Sequence, residues 1–157
     1  MGMQRVSILA LIPLLGCQVP QQVASPEGVG RPNFILIYAD DLGYGDIGCF
    51  GSKKNRTPRL DQMAEEGVRL TSFYSTSGVC TPSRSSLMTG CYPRRVSMHK
   101  DAKNGWVLFP NARKGLHPDE VTVAEVLKAR GYQTACIGKW HLGDQREFLP
   151  TRQGFDS

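Results

Sequence analysis

The 157-residue sequence has no internal repeat and no low-complexity tract, which excludes a solenoid, a propeller or a collagen-like chain. It also has no apolar run long enough to span a bilayer. The "VSILALIPLL" that follows Arg5 is too short and is broken by Pro13. No stripe of alternating basic and aromatic residues occurs, so a nucleic-acid partner is not expected. No histidines and cysteines stand at zinc-ligand spacing, which disfavours zinc. Cysteines are too sparse for a disulfide framework to be required.

What is present begins with a leader. A positive residue, a short apolar run and then "LLGC" (Leu14 to Cys17) match a bacterial lipoprotein signal, with residues 1–16 removed and Cys17 carrying lipid. Ordinary secretory cleavage is the alternative. Residues 17–30 then read as a flexible tether and residues 31–157 as the folded part. This implies export to the periplasm or cell envelope, with a possible lipid anchor to the membrane. The net charge of +5 comes from basic residues scattered singly or in pairs, as on an ordinary solvated surface.

The folded part alternates strand-like and helix-like segments. Phe34 to Ala39 is a nearly continuous apolar run, the pattern of a strand buried on both faces, and it ends at Asp40 and Asp41. "TPRLDQMAEEG" predicts a helix with Thr57 as cap, Pro58 in the first position, Leu60, Met63 and Ala64 on one face, and Gly67 as stop. "VRLTSFY" predicts a second strand, feeding a turn into "CTPSRSSLMTG", a short helix. Residues 97–118 read mostly as loop. In "TVAEVLKARG", Thr122 and Glu125 form a capping box, Val123, Val126 and Leu127 share a face, and Gly131 ends the helix. "YQTACIG" predicts a third strand, with Cys136 a small buried side chain. This alternation implies an α/β fold with a mainly parallel sheet flanked by helices, whose ligands bind beyond the carboxyl ends of the strands.

Reactive groups follow each of those ends: Asp40 and Asp41, Cys80, then Lys139 and His141. "GYGDIG" (residues 43–48) matches a dinucleotide-binding pattern, but no helical period follows it, so it is set aside. Asn55 heads a glycosylation-type triplet that is not expected to be used. Two adjacent carboxylates at one site need a cation between them, and oxygen ligands of this kind suit Ca²⁺ or Mg²⁺. Cys80 and Arg84 lie four apart, on one face at a helix N-terminus that favours negative charge. Lys139 and His141 flank Trp140, so in an extended segment the two polar groups face one way and the indole packs the other. A cation and an imidazole facing one site suit an oxyanion and proton transfer. His99 and His117 lack such company and read as surface residues.

"CTPSR" resembles the C-x-P-S-R signature of the type I sulfatases, "PNFILIYADDLGYGDIGCFG" resembles their opening strand and metal loop, and "GYQTACIGKWHLG" their second signature. The resemblance runs from about Arg31 to the last residue and implies an alkaline-phosphatase-like α/β fold, here incomplete at the C-terminus. It implies that a maturation enzyme oxidises Cys80 to formylglycine, and that Asp40, Asp41 and the modified Cys80 are calcium ligands. It further implies that Arg84 holds the hydrated aldehyde, that Lys139 and His141 contact sulfate, and that Thr81, Pro82 and Ser83 are read by the maturation enzyme. The family's later metal ligands, another His and another Lys have no counterpart in this sequence. The implied activity is sulfuric-ester hydrolysis of an arylsulfatase-like kind. The rivals are a phosphoester or phosphonate hydrolase on the same scaffold and a non-catalytic envelope lipoprotein.

Overall fold

The structure, a computed structural model, describes residues 30–157; the predicted leader, cleavage site and most of the tether lie outside the described residues. The described residues fall into two units, 30–38 and 39–157.

In the first unit the described residues are extended and open. Phe34 to Ile37 expose between 63% and 88% of their surface. In the second unit three helices form: α1 (Pro58–Glu66), α2 (Cys80–Thr89) and α3 (Val123–Lys128). Short 3-10 turns occupy Tyr44–Asp46 and Gly48–Phe50, so the glycine-rich loop does not open into a phosphate-binding helix.

Among the described residues no strand forms, so the expected sheet is not observed. A strand exists only through the ladder it shares with a neighbour, and no ladder is formed among the described residues of these apolar runs. The first is exposed, and in the second Val68 and Phe73 are 87% and 67% exposed. The third meets the last residues of the chain instead: Asp156 N–H donates to the Thr134 carbonyl and Cys136 N–H to that of Ser157, while Thr134 donates its N–H to the Asp156 carboxylate and its hydroxyl to the Gly154 carbonyl. Ile137 beside these bonds is open, and Cys136 is half-buried rather than in a core. Even so, burial pushes the Cys136 thiol pKa up. The described cysteines, Cys49, Cys80, Cys91 and Cys136, are all free.

Each helix starts and stops where its sequence directs, with one exception. Thr57 precedes α1 but makes no side-chain cap. Its hydroxyl donates to Asp61 Oδ1 (3.0 Å) and accepts the Gly48 N–H (2.7 Å), while Asp61 also accepts the Cys49 N–H (2.6 Å). Both side chains therefore tie the loop after Asp41 to α1 instead of satisfying the helix end. Leu60 and Met63 share a face as predicted, yet α1 buries no residue.

At α3 the capping box is complete. Thr122 accepts the Glu125 N–H, and the Glu125 carboxylate accepts the Thr122 N–H. Gly131 N–H donates to the Lys128 carbonyl and Tyr132 N–H to that of Leu127, a Schellman closure on a glycine with φ of 82°. Val123 and Val126 are exposed, and Ala124 is the residue that this helix buries.

The core is small and rests largely on irregular chain. Val96, Met98, Leu108, Leu116 and Leu142 are buried together, with Met88, Cys91, Ala112 and Trp140 packed against them. Three of these come from the stretch 97–118, which is loop in shape but core in content. Leu116 and Leu142, both fully buried, contribute about 1.5–3 kcal/mol each by burial. The Leu116 N–H donates to the Leu142 carbonyl at 2.7 Å, which holds the segment after Lys139 against this core.

Candidate functional site

Cys80 is the first residue of α2, and Arg84, one turn later, lies on the same face. Thr81 to Ser86 are all buried, although every one of them except Pro82 is polar. Most buried polar groups need partners, and several hydroxyls of this helix find them, though the Ser86 hydroxyl is buried without one. Ser85 donates to the Pro82 carbonyl, and Thr89 to that of Ser85. Gly90, with φ of 67°, closes the helix through its N–H on Ser86.

The end of the third run meets this helix. Arg84 Nη1 donates to the Lys139 carbonyl at 2.7 Å, and the Thr81 hydroxyl donates to the His141 carbonyl at 3.1 Å. The helix thus grips two alternate carbonyls of the "KWH" segment, which brings the Lys139 ammonium to 3.4 Å from Cys80 Sγ. Lys139 Nζ also lies 2.5 Å from Asp40 Oδ2, and Arg84 Nη2 lies 3.4 Å from Asp40 Oδ1. One carboxylate is therefore held between two cations beside the cysteine. The Lys139 hydrogen bond draws the Asp40 pKa below the usual carboxylate range, and Asp40 in turn raises that of Lys139.

Trp140 faces the opposite way, as its place between two polar residues predicted. Its indole N–H donates to the Phe148 carbonyl (2.9 Å), and its ring meets Phe155 edge to face at 5.9 Å. Strict alternation stops at His141, whose φ of 60° is the left-handed region. The imidazole Nε2 lies 2.7 Å from the Leu108 carbonyl, and Nδ1 is buried without a hydrogen-bond partner.

The structure therefore brings Asp40, Cys80, Arg84 and Lys139 together, with His141 bonded through its backbone to the same helix. Asp41 is exposed and turns the chain with φ of 56°, and it makes no hydrogen bond or ion pair with that cluster. Of the other histidines, His117 is on the surface, but His99 is half-buried, and desolvation lowers its pKa. Sequence reasoning missed the structural part of Thr81 and the Leu108 backbone. A threonine inside a signature reads as part of the signature, and a backbone carbonyl has no sequence signal at all.

The donor set fits calcium in kind but not in number. Oxygen chemistry is right for a hard cation, but Ca²⁺ takes six to eight oxygens. Among the described residues no group of three or more His, Cys, Asp or Glu could hold a metal. The described residues do not by themselves complete such a site.

A family model described as Sulfatase matches residues 32–157. Human arylsulfatase A is 50% identical over 157 residues, covering 99% of this chain and 28% of its own. Mouse steryl-sulfatase is 52% identical over 131 residues, covering 80% of this chain and 21% of its own. Among solved structures, that of Ps i-CgsB superposes with a TM-score of 0.75 at 37% identity, covering 81% of this chain and 27% of that one. The chain thus spans about a quarter of the length of these relatives, and the described residues share the fold of that portion. With a family match across the whole folded part, this chain belongs to the sulfatase family.

Proposed function

We propose that this chain is the N-terminal part of the catalytic domain of a calcium-dependent sulfuric-ester hydrolase, arylsulfatase-like, in which Cys80 is converted to formylglycine. The observation that carries this reading is the convergence of Asp40, Arg84 and Lys139 on a cysteine at the first position of a helix. A formylglycine at position 80 supplies, once hydrated, two hydroxyls on one carbon, one to attack sulfur and one to expel sulfate. Calcium supplies positive charge for the sulfate oxygens, and Asp40, Asp41 and position 80 are the groups of this chain that would hold it.

The chain's own residues do the rest. Arg84 fixes the α2 end against the Lys139 carbonyl and offers its fork to the group at position 80. Lys139 neutralises charge on the ester oxygens, where a fixed donor in a dry site is worth far more than in water. His141 holds or takes a proton next to that group.

In the complete domain the runs at 34–39, 68–74 and 132–138 serve as strands of a mainly parallel sheet. Residues 1–16 act as a lipoprotein-type signal, Cys17 is the anchor and 17–30 the tether, which places the enzyme in the periplasm or envelope. A formylglycine-generating enzyme is the maturation partner.

The test is turnover of matched aryl sulfate and aryl phosphate esters by the complete enzyme, matured or carrying Cys80→Ser. Sulfate turnover by the matured form is expected. Cys80→Ser is expected to release at most one equivalent of product and stall with sulfate held at position 80, because a serine has no second hydroxyl on that carbon. Sustained turnover by the serine form, or a preference for phosphate, would favour a phosphatase-like hydrolase instead.

A further inference from the structure

We propose that Thr81 is a positioning residue that, together with the Leu108 backbone, fixes the His141 imidazole with Nε2 protonated and Nδ1 as its proton acceptor. The inference rests on the reading of His141 as a proton-handling group of the site.

Thr81 is 3% exposed, and its hydroxyl is used in both senses. It donates to the His141 carbonyl at 3.1 Å and accepts the Leu108 N–H at 3.1 Å. The Leu108 carbonyl lies 2.7 Å from His141 Nε2, which closes a ring from the threonine through Leu108 and the imidazole back to the His141 backbone. A carbonyl oxygen can only accept, so the proton of this bond sits on Nε2. In the neutral ring Nδ1 then carries the lone pair. That atom is buried and has no hydrogen-bond partner, so its lone pair is free to accept from a polar group that reaches it.

The backbone says the same. A bulky residue with φ of 60° is held there only where its surroundings over-determine it. His141 is braced on one side by Thr81 on its own carbonyl and on the other by the Leu116 N–H on the carbonyl of Leu142. Leu116, Leu142 and Leu108 are buried, so both braces are anchored in the core. The hydroxyl adjacent to Cys80 therefore sets the ring that serves position 80.

The experiment reads the imidazole ¹⁵N resonances of His141 and the exchange of its ring proton by NMR, on this chain, at about pH 9, well above the ordinary imidazole range. The wild type is expected to show a protonated, solvent-protected Nε2 and an unprotonated Nδ1. Thr81→Val keeps the shape and removes the hydroxyl, and is expected to speed exchange of the Nε2 proton about tenfold, from the loss of the hydrogen bonds that hold the ring. Thr81→Ser is expected to restore protection. A wild-type ring protonated on Nδ1, or one exchanging at the solvent rate, overturns the proposal. Wild-type protection in folded Thr81→Val also overturns it. Should the valine variant fail to fold, the wild-type and Thr81→Ser spectra still decide. None of these readings uses an ester, so a failure here is told apart from a failure of the turnover assay and leaves the sulfatase reading standing.

Discussion

Replacing Arg84 by lysine keeps the charge and removes the fork. In the native helix the guanidinium reaches the Lys139 carbonyl through Nη1 at 2.7 Å and Asp40 through Nη2 at 3.4 Å, with the side chain 11% exposed. An ammonium can satisfy one of these at a time. The Asp40 contact is long and its carboxylate is 42% exposed, so its share is about 0–1 kcal/mol. The carbonyl bond is short, partly buried and charge-assisted, which puts it at about 1.5–3 kcal/mol. Lysine is also more strongly hydrated than arginine and resists the same burial. Arg84→Lys should therefore lose about 1.5–3 kcal/mol, lowering Tm by about 2–4 °C for each kcal/mol. Urea unfolding followed by tryptophan fluorescence is the assay, because Trp140 sits next to the gripped carbonyl. An unchanged midpoint at an unchanged slope would show that the fork adds nothing beyond charge.

In the complete enzyme, Lys139→Ala should lower turnover about 10²–10³-fold, the usual effect of removing one donor to developing charge. Trp140→Phe should keep most of the turnover and lose about 0.5–1.5 kcal/mol of stability with the Phe148 hydrogen bond; the reverse ranking in paired kinetic and unfolding assays would mean that the faces of this segment are reversed. Asp156 has its pKa held down from 3.8 to about 2 by Lys128, 2.6 Å away, and by Thr134. Its stabilisation is thus complete above pH 3.8 and is lost as pH falls toward about 2. The stability difference between wild type and Asp156→Asn should shrink across that window, and a constant difference would refute the pairing.

Helices were legible because a helix carries its own hydrogen bonds and announces its ends. Thr122 with Glu125, and Gly131 after Lys128, gave α3 almost to the residue. Thr57 misled because its hydroxyl had two other partners, the Asp61 carboxylate one turn on and the Gly48 N–H from the preceding loop. The strand-like runs could be seen as apolar but not as paired, since a parallel strand borrows its bonds from distant sequence. Cys80 and Arg84 were legible as neighbours because helix spacing puts them on one face, whereas the approach of Lys139, 59 residues after Cys80, depends on the tertiary bond from Arg84 to the Lys139 carbonyl. His141 was legible as a residue but not as an orientation, which depends on the Thr81 hydroxyl and a backbone carbonyl from an irregular loop.

The central claim is the fate of one sulfur atom. Co-expressing the chain with a formylglycine-generating enzyme and analysing the peptide that carries Cys80 by mass spectrometry tests it most directly. An aldehyde at position 80 that reacts with a hydrazide probe is expected, and its loss when Arg84 and Pro82 of the signature are both replaced by alanine. Recovery of only the free thiol, from a maturation enzyme that converts a control sulfatase in the same cells, would contradict it.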